Sequence, residues 1–215
     1  ERGALIERLD GDLWRRQPPP DPDDVLYGVS CPATGSCTAV GPEGVIEQWD
    51  GQTWSIDNAP NESSGDLNSV SCITPQVCMA VGDTDGGASG SAPFAEQSGP
   101  GGWQVESPPS PARDIDSLSL GSVSCTDVRC VAVGSYQSQD GLIMPLIEVK
   151  PQSGPWHLVT PALPTDGADA PLPGVSCPTV LQCVAVGTSD QTPFVEVRSP
   201  RAGTRVSERP TGHSG

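Results

Sequence analysis

An all-β fold made of repeated four-stranded antiparallel units is what this sequence predicts, on three observations. A short motif recurs four times, as Val29-Ser30-Cys31, Val70-Ser71-Cys72, Val123-Ser124-Cys125 and Val175-Ser176-Cys177. Each copy is followed by Cys-x-Ala-Val-Gly, over residues 37–41, 78–82, 130–134 and 183–187. The β-branched runs are bounded by Gly, Pro, Asp and Ser, and no segment carries sustained helical periodicity. The period between first cysteines is 41, 53 and 52 residues, the length of one four-stranded β-propeller blade. A sandwich of hairpins would give no reason for so regular a repeat.

Taken in order, Val-Ser-Cys is strand A of each unit, and Cys-x-Ala-Val is strand B after a short turn. Strand C carries a glutamate in an apolar segment, at Glu47, Glu96, Glu148 and Glu196. Strand D carries a tryptophan, at Trp54, Trp103 and Trp156, and the fourth unit departs with Arg205 near that position. Asp50-Gly51 and Asp10-Gly11 fall between C and D, where a hairpin turn is required. Residues 4–20, with Leu5-Ile6-Glu7-Arg8 and Trp14, match C and D without a preceding A and B. The expected division is a partial blade of two outer strands over 1–20 and complete blades over 21–60, 61–110, 111–164 and 165–207. A tail follows over 208–215. All belong to one propeller domain, read as the C-terminal part of a longer chain.

The eight cysteines fall in pairs, Cys31/Cys37, Cys72/Cys78, Cys125/Cys130 and Cys177/Cys183, separated by 6, 6, 5 and 6 positions. Zinc sites favour Cys-x-x-Cys pairs or histidines, and the chain has two histidines, one of them in the polar tail. Each pair would face across the A–B hairpin at disulfide range. Disulfides in turn imply an oxidising, extracellular setting.

This combination of Val-Ser-Cys, Cys-x-Ala-Val-Gly, Ile-Glu-x-Trp and Asp-Gly-x-x-Trp resembles the disulfide-bearing propeller repeat of secreted proteins from high-GC Gram-positive bacteria. The resemblance covers residues 4–206. Ten Arg against a single lysine, Lys150, point the same way in composition. The resemblance implies a propeller, export, and a lectin-type targeting role, as in secreted toxin-type assemblies.

A formal charge of −16 excludes nucleic acid as a partner, because phosphate needs a basic footprint. The longest apolar stretch, Leu142–Ile147, is broken by Pro145 and is far short of a membrane span. The B–C and D–A connections are long, uneven and acidic, and binding tends to reside on such loops of a rigid scaffold. Asp83, Asp85, Tyr136, Gln137, Asp140 and Asp190 are the candidate ligand-binding residues there, for neutral glycan or a protein partner. Additional protein is expected at the incomplete first blade. The repeated glutamates and tryptophans read as structural, the carboxylates accepting hydrogen bonds and the indoles packing between blades. Trp49, unlike its counterparts, is a candidate sugar-stacking aromatic. His157 is a poor base for a triad, and Asp83-Thr84-Asp85-Gly86 is only a fragment of a calcium loop. No cofactor and no catalysis are expected. The expected function is a secreted, lectin-like recognition module, with a structural or protein-docking propeller as the alternative and glycoside hydrolysis third. Thiol titration of denatured, unreduced protein should find no free thiol; eight reactive thiols would overturn the disulfide assignment.

Overall fold

The structure is a computed structural model that describes residues 3–57, 65–84, 90–111, 115, 117–161, 169–189, 192–199 and 202–206; of the last two strands only the backbone pairing is described. It opens with a hairpin of β1 (Ile6–Asp10) and β2 (Leu13–Gln17). Sheet I then contains β3 (Gly28–Ala33), β4 (Ser36–Val40), β5 (Ile46–Trp49) and β6 (Trp54–Ile56). Sheet II contains β7 (Gly65–Thr74), β8 (Val77–Thr84), β9 (Ala92–Gly99) and β10 (Gly102–Glu106). Sheet III contains β11 (Leu118–Cys125), β12 (Arg129–Gln137), β13 (Ile143–Pro151) and β14 (His157–Leu158). Sheet IV contains β15 (Gly174–Thr179), β16 (Gln182–Ser189), β17 (Thr192–Ser199) and β18 (Ala202–Val206). Every sheet is a sequential antiparallel meander, while β1 and β2 pair only with each other.

The cysteines close the first hairpin of each sheet as Cys31–Cys37, Cys72–Cys78, Cys125–Cys130 and Cys177–Cys183, with Cα–Cα separations of 3.9–4.1 Å. The C–D turns use glycine at positive φ, 63° at Gly11, 98° at Gly51 and 90° at Gly102, a region that costs an L side chain strain. At Asp50 the carboxylate also accepts the Gln52 and Thr53 N–H groups, at 2.8 and 2.7 Å, and these bonds hold its pKa below the usual aspartate range.

Two connections are shorter than the sequence implies. Pairing of β8 with β9 runs out to Thr84 opposite Ala92, and β12 pairs with β13 out to Gln137 opposite Ile143. Asp83, Tyr136 and Gln137 are therefore strand residues, not loop residues. Cross-strand hydrogen bonds carry these ladders past the point where the apolar pattern fades.

The core lies between sheets. Leu67, Val70, Ala80, Phe94 and Trp103 of sheet II pack against Val40 and Ile46 of sheet I. Leu120, Val123, Ala132, Leu146 and Trp156 of sheet III pack against Met79, Val81 and Ala95 of sheet II. Leu172, Cys177 and Ala185 of sheet IV meet Val131, Val133, Ile147 and Val149 of sheet III. Each sheet thus offers one face to its predecessor and the other to its successor.

Polar bonds lock the same junctions. The serine of Val-Ser-Cys accepts the N–H of the next sheet's first cysteine, Cys72 on Ser30, Cys125 on Ser71 and Cys177 on Ser124, each at 3.0 Å. The glycine ending Cys-x-Ala-Val-Gly lies against the backbone of strand A at Gly82 and Gly134, and against the segment leading into strand A at Gly41 and Gly187. A Cβ at Gly41, Gly82, Gly134 or Gly187 would collide with the carbonyl oxygen of Val25, Asp66, Ser119 or Pro171 respectively. The Gly41 and Gly134 carbonyls also accept the N–H of Leu67 and Leu172 in the following sheet, at 3.0 and 3.3 Å.

Because the obstructing atom at Gly82 is backbone, it has little room to yield. Gly82→Ala should destabilise the protein by more than about 2 kcal/mol, read as a lowered denaturation midpoint. Gly99→Ala, with open space around its Cβ, should change stability by less than about 1 kcal/mol.

Candidate functional site

A cavity of about 570 Å³ forms a groove between the β1–β2 hairpin and sheet I. Its walls are apolar and aromatic, with Leu9 and Trp14 from the hairpin facing Tyr27, Val29, Trp49 and Trp54 of sheet I. The hairpin touches sheet I along its outer half only. There the Trp54 indole donates to Gln17 at 2.9 Å, just as Trp103 donates to Asp57 at 2.8 Å across the next junction. The Arg8 guanidinium lies 5.6 Å from the Trp49 ring centroid, within cation–π range, and Ile6 is buried.

The inner half of this groove is uncovered. Val29 is 62% exposed, whereas Val70 and Val123 at the equivalent position are each 6% exposed. Trp14 is 66% exposed, against 6% for Trp103 and Trp156.

The candidate ligand residues do not form one site. Asp83 accepts the Asn68 amide at 3.1 Å, and that amide also reaches Ser119 Oγ and the Leu120 carbonyl of sheet III, so Asp83 braces the junction of sheets II and III. Tyr136 packs partly buried against the core between those sheets. The Gln137 amide donates to the Gly141 carbonyl of its own turn. Asp140 is exposed, and Asp85 and Asp190 lie outside the described residues. Other acids of these connections are also occupied. Asp57 holds Trp103, Asp66 accepts the Glu43 N–H at 3.0 Å, and Asp169 accepts the Ile143 N–H at 2.7 Å. Sequence reasoning missed this junction role, whose only sign is an acid recurring beside each strand end.

Trp49 is 8% exposed and packs against Trp54 at 5.8 Å between ring centroids, so it offers no open face for a sugar. His157 is exposed on β14 opposite Val149, and its ring bonds no serine or acid among the described residues. Among those residues no group of three or more His, Cys, Asp or Glu could hold a metal. Among the described residues no helix is long and apolar enough to cross a membrane.

Two of the repeated glutamates, Glu47 and Glu148, are structural in place but not in the way the sequence suggests. Glu47, Glu96 and Glu148 are each fully buried, on the strand face that meets the preceding sheet. The carboxylate oxygens of Glu47 and Glu148 have no hydrogen-bond partner, so bonding to backbone or hydroxyl groups is not what accommodates them. Protonation does so, since a neutral acid costs far less to bury than a carboxylate. Burial pushes Glu148 up to about 8. Burial, with the charges of Asp24 and Asp21, pushes Glu47 up to about 7.

Above the ordinary glutamate value of 4.5, the unfolded chain has lost these protons while the folded chain still holds them. The stabilisation is therefore complete below that value and is lost as pH rises through about 7 and about 8. The melting temperature should fall between about pH 5 and about pH 8. Glu148→Gln, neutral at every pH, should flatten that slope and raise stability at the alkaline end; an unchanged slope in both Glu148→Gln and Glu47→Gln would disprove the assignment.

No family model matches the chain, and no curated protein matches it. Solved structures do. A selenomethionine-substituted virginiamycin B lyase from Staphylococcus aureus superposes with a TM-score of 0.62 at 14% identity, over 98% of this chain and 64% of that one. YCF48 bound to D1 peptide superposes with a TM-score of 0.60 at 15% identity, over 96% of this chain and 60% of that one. The chain thus spans less than two thirds of the length of either protein. At this identity the likeness shows the fold alone, and that fold is a β-propeller.

Proposed function

We propose that the chain is part of a secreted, non-catalytic recognition propeller. Sheets I–IV are four of its blades, and β1–β2 is the outer half of a fifth. Its ligand is a protein surface, neutral or basic, met by the loop end of the sheets. The carrying observation is uncompensated negative charge at that end. Residues 21–197 hold 22 acids and three bases. The ion pairs among the described residues, Arg15–Asp10 and Lys150–Glu106, involve none of the acids at Asp21, Asp23, Asp24 or Asp140. Crowding is already felt there, as burial together with Asp21 and Asp23 raises the Asp24 pKa. A cationic partner would relieve that repulsion and be steered to it.

A protein ligand at the loop end is favoured over glycan by the packing of Trp49 and Tyr136; the exposed aromatics Trp14 and Tyr27 line the groove beside the hairpin instead. That one propeller neighbour binds a peptide is consistent with this preference. Four disulfides suit an oxidising, extracellular setting.

The test sets basic peptides against sequence-matched neutral ones and a glycan array, at low and high salt. Basic peptides should bind, weaken with salt, and weaken again in the double variant Asp23→Asn, Asp24→Asn. Salt-independent binding to neutral glycans would restore the lectin reading and sink this one.

A further inference from the structure

Glu47 and Glu148 are alike in burial and differ in what lies beside them. Both are fully buried, and neither carboxyl has a hydrogen-bond partner. Burial alone acts on Glu148, in the junction of sheets II and III. Glu47 feels burial and, in addition, the charges of Asp24 and Asp21. Since the two carboxyls are equally unpartnered, that state belongs to the repeat position and not to the start of the sequence.

The path of the chain explains the second effect. The Asp23 N–H donates to Asp21 Oδ1 at 2.9 Å, which folds residues 21–24 into a turn. Beyond it the Tyr27 N–H donates to the Val40 carbonyl at 2.8 Å, and the Val25 carbonyl lies against Gly41. The segment therefore runs beside the end of β4, which sets Ala39 opposite Glu47 on β5. Asp21 and Asp24 are half-buried, and Asp23 is exposed. The other elements around Glu47 offer no uncommitted cation among the described residues. On β6 its partner is Ile56, and the turn between β4 and β5 adds a further acid, Glu43. From the hairpin, Arg8 lies over the Trp49 ring and Arg15 pairs with Asp10.

We propose that Asp21 and Asp24 seat a lysine ammonium of the basic partner, and that Glu47 beside them gives up its proton when the ammonium arrives. This rests on the reading of the acidic loop end given above, and adds the cation it takes and how pH regulates it. No three acids among the described residues converge as metal ligands, so the ligand is an organic cation. A compact ammonium with three donors suits carboxylates on separate residues, whereas a guanidinium fork takes both oxygens of one. The Glu47 O–H bond breaks, its proton passes to the solvent, and the ammonium counters the carboxylate that remains. Without the partner Glu47 titrates at about 7, and a nearby cation holds it lower. Affinity should therefore rise with pH up to about that value and level off above it, where Glu47 is ionised in both states.

The probe is a peptide of alternating glycine and lysine with blocked ends, which has no titrating group between about pH 5.5 and about pH 8. Its affinity, measured by calorimetry, should be about tenfold higher at the upper end, the effect of lowering one acid by about one pH unit. Heats in buffers of unequal ionisation enthalpy should show proton release on binding at about pH 6.5. Glu47→Gln should flatten the rise, Glu148→Gln should keep it, and Asp24→Asn should weaken binding at every pH. Proton release by the native protein needs no variant, so a Glu47→Gln chain that fails to fold leaves the test intact. Binding without proton release, or a rise that survives Glu47→Gln, overturns this inference and leaves the acidic end a docking surface. An arginine peptide that binds as tightly with the same release overturns the choice of ammonium. Absence of lysine-peptide binding at both ends of the pH range overturns the docking surface and this inference together.

Discussion

The contact on which the rest depends is the close approach of the glycine in Cys-x-Ala-Val-Gly to the backbone of strand A or of the segment leading into it. Gly41, Gly82, Gly134 and Gly187 all sit where a single methyl would strike a carbonyl oxygen. That approach seats strand A tightly on strand B. It also brings Gly41 and Gly134 carbonyls within reach of the next sheet's leucine N–H. The serine–cysteine bonds follow from the same placement, since Ser30, Ser71 and Ser124 lie on the innermost strand facing their successor. The disulfide then staples the hairpin that carries both. One small residue per repeat thus sets the spacing within a sheet and the docking between sheets.

Around that backbone frame the apolar core is thin and divided. Among the described residues each cluster is shared by two neighbouring sheets. A fully buried Leu or Val contributes about 1.5–3 kcal/mol, so a junction with a handful of them depends on its polar fasteners too. This explains why so many acids of an acidic chain are spent on indole and amide N–H groups. Asp57, Asp66 and Asp169 each hold a donor at a sheet boundary. Glu47 and Glu148 are the counter-example, buried carboxyl groups without bonds whose pKa values burial raises toward the neutral form.

Much of the fold was legible because its signals are local. Strand alternation, glycine turns and cysteine spacing lie within a few residues of one another, and the unmatched C–D hairpin over 4–20 could be counted from repeats alone. Tyr136 and Asp83 were misplaced into loops because ladder hydrogen bonds, not apolar residues, extend β8 and β12. The serine of Val-Ser-Cys was visible as an identity in all four units, but its partner lies 42 to 54 residues away. Trp49 looked exposed because its counterparts Leu9, Ser98 and Lys150 share no character. Only the three-dimensional position of Arg8 and Trp54 shows what covers it. The candidate site residues were the least legible part, since convergence of side chains has no signature in spacing.

A chain in which every sheet is secured only to its neighbours behaves as a nearly one-dimensional lattice. The free energy of opening a unit is the sum of its own intrinsic stability and of the interfaces it makes with its neighbours. Sheets II and III, held on both sides by complete junctions, should open last, and their central amides should exchange with solvent most slowly. Sheet I, secured fully to sheet II and by half a junction to the hairpin, is the weaker link despite carrying the same disulfide. Loss of order would therefore pass as a moving boundary from one repeat to the next.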